Sequence, residues 1–164
     1  YNAAVLRYVE DTSFILHEVS SWDDVKTQLE AVGDGTIPML VLMGHGANGG
    51  VQTKSDSGQL DYYTLLNHDD QGAAMFSLID RKLADGACIL LNSCTQADAE
   101  DAPHVQGFAD NTNRSVIANS GNYRSIKLYR SWTSGIANQA IITVLSGYRV
   151  TSTGKWLRFD DSTP

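Results

Sequence analysis

The chain has 164 residues with 42% hydrophobic content, enough for one compact core and short for two independent domains. Its formal charge of −7, from 12 Lys and Arg against 19 Asp and Glu, argues against a nucleic-acid surface and disfavours a membrane-surface role. No apolar run approaches the roughly 18 residues that span a bilayer, and residues 1–10 lack the basic start and apolar stretch of a secretory signal, so a soluble protein is expected. A chain that opens on Tyr1 rather than methionine fits a processed product or a piece excised from something longer.

Taken in order, residues 14–19 (FILHEV) are rich in β-forming side chains and predict a strand. Ser21 then opens a helix, with Asp24 three positions on in the place of the usual glutamate of a capping box. Trp22, Val25, Leu29 and Val32 recur at helical spacing, and Gly33 is the stop signal. The apolar run 38–43 (PMLVLM) predicts a buried parallel strand that breaks at Gly44-His45-Gly46. The stretch from there through Asn67 is polar and glycine-rich, and Gly49, Gly50, Val51 and Gln52 suit a short hairpin arm.

A second helix is predicted from about Asp70 to Ala84, because Met75, Leu78, Ile79 and Leu83 share one face and Gly86 closes it. It leads into a second apolar run, 87–91 (ACILL), that breaks at Asn92-Ser93-Cys94. Residues 95–103 are polar and acidic, a loop or first helical turn, and 105–111 suggest a helix that delivers the chain to a third parallel strand at 115–118 (SVIA). The runs 141–145, 148–151 and 156–159, separated by turn residues, predict a hairpin-rich edge or cap. An exposed edge at 156–159 would offer pairing to a second copy; the oligomeric state is left open. Parallel strands need long crossovers, so an α/β, mostly parallel, doubly wound sheet in a single domain over 1–164 is expected.

Open α/β sheets place their chemistry at the carboxyl ends of strands, where His45 and Cys94 stand. A thiol is only a few per cent ionised at neutral pH, so a cysteine nucleophile needs a proton acceptor of the kind His45 supplies. Cys88 lies inside its apolar run and reads as core. The two cysteines stand six positions apart along one strand, about 20 Å at roughly 3.3 Å per residue, so both thiols are expected free and a reducing compartment is favoured. His17 and His68 read as solvated or structural, and His104 is the reserve base. No ligands stand at zinc-type spacing, so no metal is expected. The glycine-rich run from Gly44 to Gly50 has a superficial likeness to an esterase oxyanion loop, but residues 92–96 (NSCTQ) lack the flanking glycines of a nucleophile elbow, which leaves an esterase a poor second.

An apolar strand ending in His45-Gly46, paired with a later one ending in a small residue and Cys94, resembles the caspase-like cysteine peptidases. That group includes caspases, metacaspases, legumain, gingipains, separase and the self-cleaving domains of large bacterial toxins. The likeness runs from about Phe14 to Asn122, with histidine first, cysteine second and one helix between them. The resemblance implies a caspase-like three-layer sandwich with helices on both sheet faces, and a cysteine endopeptidase acting on a protein or peptide, its own parent chain included. It also implies that Cys94 attacks the scissile carbonyl, that His45 protonates the departing amine, and that backbone N–H groups of Gly46 and Cys94 receive the oxyanion; no third acidic member and no cofactor are implied.

By the same resemblance Asn92, two before the nucleophile, shapes the primary specificity pocket; a simple turn role is the competing reading of that residue. A neutral amide there lacks the charge that the basic-residue preference of metacaspases requires. The segment 119–124 (NSGNYR) corresponds to the strand-end loop that pairs with extended substrate, through Ser120, Asn122 and Arg124, with Arg124 suited to an acidic side chain. The competing class is a catalytically silent caspase-like module used for regulated binding. An inositol-phosphate-triggered toxin domain would need a Lys- and Arg-rich ligand surface, which this acidic chain does not offer. The expected location is cytoplasmic, or within a secreted effector or toxin.

Overall fold

Stretches of β-forming and amphipathic sequence alternate to give an α/β fold in the computed structural model, which describes residues 4–10, 13–47, 50–52, 59–61, 65–66, 69–93, 96–121 and 156–159. In chain order these form β1 (Ala4–Glu10), β2 (Ser13–Val19), α1 (Trp22–Glu30), β3 (Ile37–Met43), β4 (His45–Ala47), β5 (Gly50–Gln52), β6 (Gln59–Asp61), α2 (Asp69–Lys82), β7 (Leu83–Asn92), α3 (Ala102–Thr112), β8 (Ser115–Asn119) and β9 (Trp156–Phe159). Among the described residues the main sheet has six strands in the order β2-β1-β3-β7-β8-β9, and a small sheet has three, β4-β5-β6.

The uninterrupted apolar runs become the parallel centre, as buried strands should. Leu40, Val41 and Leu42 stand opposite Ile89, Leu90 and Leu91, while Ile89 and Leu91 stand opposite Val116 and Ala118. All eight of these side chains are fully buried. Leu40, Leu42, Ile89 and Leu91 join the core cluster beneath the helices. Strand alternation turns Val41, Cys88 and Leu90 to the opposite face, where they are fully buried as well.

The sheet departs from a mostly parallel one. β1, which periodicity left unassigned, enters between β2 and β3 and runs antiparallel to both, with Glu10 opposite Ser13 and Leu6 opposite Leu42. The two residues between Glu10 and Ser13 are too few for a parallel crossover, so a hairpin follows. β9 is antiparallel to β8 at the other edge. The strand-like runs expected at 141–145 and 148–151 lie outside the described residues.

Helix α1 starts as its sequence requires. Ser21 Oγ accepts from Asp24 N–H at 3.2 Å while Asp24 Oδ2 accepts from the backbone N–H groups of Ser20 and Ser21 and from the Ser20 hydroxyl. Val25 and Leu29 are buried, with Trp22 and Val32 packed beside them. The three described helices form one layer, joined at Phe108 of α3, whose ring lies 5.6 Å from Phe76 of α2 and 6.3 Å from Trp22 of α1. The expectation of helices on both faces is therefore met, among the described residues, on one face only. The cause is topological: β2, β3, β7 and β8 are laid down in one direction across the sheet, and successive right-handed crossovers in one direction fall on one side.

Gly86 does not close α2. The helix ends at Lys82, where Arg81 and Lys82 carbonyls accept from Gly35 and Thr36 N–H at 2.9 and 3.1 Å, so the orphan groups of the last turn are taken by a distant loop. Gly86 instead has φ 72° within β7, where the register slips from Ile37 opposite Leu83 to Met39 opposite Cys88. A left-handed residue inside such a bulge favours glycine. Lys82 Nζ seals this corner, donating to Val32 O and to Asp34 Oδ1, each at 2.7 Å.

Two carboxyls thereby sit below their ordinary range: Asp24 through its bonds from Ser20, and Asp34 through the hydrogen bond and charge of Lys82 together with the charge of Arg81. A lowered folded pKa makes the ionised form part of the native state. That stabilisation is complete above the unfolded carboxylate value and is lost as pH falls through the lowered folded one. Asp24→Asn and Asp34→Asn should each flatten the fall of the thermal unfolding midpoint below about pH 4. Acid limbs superimposable on wild type would contradict this account of both contacts.

Candidate active site

Parallel pairing fixes where the two chemical motifs leave the sheet. β3 and β7 run side by side to the pair Met43 and Asn92, so their carboxyl ends emerge together. One residue further the ladder has ended, and a side chain takes over: Ser93 Oγ donates to the Gly44 carbonyl at 3.1 Å across 49 positions of sequence. Gly44 precedes His45, and Ser93 precedes Cys94. The bond therefore joins the immediate neighbours of the two proposed reactive residues.

Beyond this tie the paths diverge. His45 begins β4, which folds back as a hairpin with His45 opposite Gln52, Gly46 opposite Val51 and Ala47 opposite Gly50. The arm is the one the glycine-rich sequence suggested, and β6 adds a third strand with Leu60 opposite Val51. Both Val51 and Leu60 are fully buried and belong to the core cluster, so the arm is seated on the domain at its middle. The backbone of His45 and Gly46 is thus placed at the carboxyl edge. Cys94, Asn122 and Arg124 lie outside the described residues, as does His68.

The chain returns to the same edge soon after Cys94. Ala97 N–H donates to the Asn119 carbonyl at 2.9 Å, which joins the segment after Cys94 to the end of β8. Asn119 is fully buried, and its Oδ1 accepts from Gly121 N–H at 2.7 Å. That bond curls the chain over Ser120, which is half-buried, into a turn at the strand end. Three strand ends are linked at this edge, β3 to β7 through Ser93 and β7 to β8 through Ala97.

Asn92 closes β7 with an unusual environment. It is 1% exposed, and among the described residues neither its Oδ1 nor its Nδ2 has a hydrogen-bond partner. Leaving such groups unmet costs about 1–3 kcal/mol each. Gln96, four residues on, is fully buried.

The remaining candidates separate from the edge by burial or position. Cys88 is fully buried in β7 and forms no disulfide, consistent with a core role. His104 is in the first turn of α3 with Nδ1 3.9 Å from Asp101 Oδ1, an ionic contact when the imidazole is protonated. Ahead of it, Asp98 Oδ1 accepts from the N–H groups of Glu100 and Asp101 at 3.1 and 3.0 Å, shaping the turn that leads into α3. His17 is partly exposed on β2.

Ser93, Ala97 and Asn119 were not singled out from sequence for these ties. A serine between an amide and a cysteine carries no signal of a partner 49 positions away; only the strand register reveals it. Among the described residues no group of three or more His, Cys, Asp and Glu could hold a metal ion, and no helix is long and apolar enough to cross a membrane. Comparison of the chain with family models, with curated proteins and with solved structures finds no match.

Proposed function

We propose that the chain is a caspase-like cysteine endopeptidase in which Cys94 is the nucleophile and His45 its proton-transfer partner. The observation that supports this most strongly is the bond between Ser93 Oγ and the Gly44 carbonyl, directly beyond the pair of Met43 and Asn92. Each reactive residue is one Cα step, about 3.8 Å, from a member of that bonded pair. Two motifs 49 residues apart converge by register rather than by chance of loop placement.

In the proposed reaction the Cys94 thiolate adds to the scissile carbonyl carbon, and the carbonyl electrons move to oxygen. Backbone N–H groups of Gly46 and Cys94 receive that oxyanion. Collapse breaks the carbon–nitrogen bond, and the His45 imidazolium gives its proton to the departing amine. Water, deprotonated by His45, then hydrolyses the thioester and frees the thiol.

Asn92, whose amide has no partner among the described residues, belongs to the primary pocket, where it offers hydrogen bonds and no charge. Ser120, Asn122 and Arg124 contribute to the loop that pairs with extended substrate, and the parent chain is itself a candidate substrate. A second layer of helices, completing a three-layer caspase-like sandwich, is part of the same proposal, supported by the full burial of Val41, Cys88 and Leu90. The test is a peptide library offered to wild type and Cys94→Ala. Cleavage by wild type alone, after a defined residue, is the expected result; equal cleavage by both, or by neither, overturns the reading.

A further inference from the structure

The backbone ladder between β3 and β7 stops two residues short of each reactive position, yet the proposed chemistry requires those positions to be held at a fixed separation. The geometry points to Ser93 as a positioning residue whose hydroxyl sets the placement of His45 relative to Cys94, an inference that rests on the function proposed above. A trans peptide unit is planar, so one plane contains the Gly44 carbonyl and the His45 nitrogen and Cα. Anchoring the oxygen of that plane orients the whole unit. Ser93 does so from a fully buried position, onto the carbonyl of a half-buried Gly44.

At the other end the anchor is covalently adjacent to Cys94, so a single side chain is tied to both motifs. Alanine at 93 would remove the bond and leave the Gly44 carbonyl free to turn. Threonine keeps a hydroxyl on the same carbon. Catalysis between two side chains depends steeply on their separation, and a shift near 1 Å can cost on the order of a hundredfold.

The experiment compares wild type, Ser93→Ala and Ser93→Thr by peptide kinetics and by the pH dependence of Cys94 alkylation with iodoacetamide. Ser93→Ala is expected to lower kcat by about tenfold or more with KM changed less than about twofold, and to shift the alkylation profile towards that of an ordinary thiol. Ser93→Thr should restore both. Threonine also guards against global destabilisation, since a variant that folds and keeps the hydroxyl must recover the wild-type profile. A wild-type Cys94 that reacts fast, with unchanged kcat and profile in Ser93→Ala, overturns this inference alone. A wild-type Cys94 that reacts no faster than Cys88 overturns it together with the endopeptidase reading.

Discussion

Cys94→Ala is expected to reduce peptide cleavage by at least about a thousandfold while leaving the thermal unfolding midpoint within about 2 °C of wild type. The size follows from the chemistry. Without the sulfur no acyl-enzyme forms, and only the residual assistance of oxyanion donors and substrate binding is left. The small effect on stability follows from position: residue 94 lies past the end of β7, whose packing is supplied by Ala87, Cys88, Ile89, Leu90 and Leu91. A variant that retains cleavage within about tenfold of wild type would remove Cys94 from the mechanism, whatever the geometry of the strand ends.

The largest stability effect is expected at Phe108. Its side chain is fully buried, and its ring meets aromatic rings of both other described helices, Trp22 on α1 and Phe76 on α2. Truncating a buried phenylalanine costs about 3–5 kcal/mol through lost transfer energy and the cavity left behind. In a chain of this size each kcal/mol lowers the midpoint by about 2–4 °C, so Phe108→Ala should melt roughly 6–20 °C below wild type. Calorimetry would measure it. A loss under about 2 °C would mean that the helical layer is not held together at this point.

Legibility from sequence followed how local the determining interaction was. The start of α1 was readable because Ser21 and Asp24 satisfy each other's backbone within three residues. The centres of β3, β7 and β8 were readable because strands buried on both faces need unbroken apolar runs. β1 was not, although residues 4–10 become a full strand. Its mixed composition gives no strong alternation, and its place is set by pairing with β2 and β3. Gly86 was misassigned because a glycine after an amphipathic run looks like a helix stop; the carbonyls it would have capped are taken by Gly35 and Thr36 from across the fold.

At the site, His45 and Cys94 were legible as residue types breaking apolar strands, and β3 and β7, the strands that precede them, pair side by side. The hydroxyl that links their neighbours and the turn built on Asn119 were not, because each depends on chain segments brought together only by the sheet. The neutral amide at position 92 was visible as a residue, but its burial without a partner among the described residues is a property of the folded state.

The most direct test of the central claim, a coupled His45 and Cys94 at one sheet edge, is the rate of Cys94 alkylation by iodoacetamide as a function of pH in wild type and in His45→Ala, with buried Cys88 as the internal reference. The account predicts that wild-type Cys94 reacts far faster than Cys88 and keeps its reactivity well below the ordinary thiol pKa of about 8.5, and that His45→Ala moves the profile up towards that value. Identical profiles in the two proteins, or a Cys94 as slow as Cys88, would contradict it.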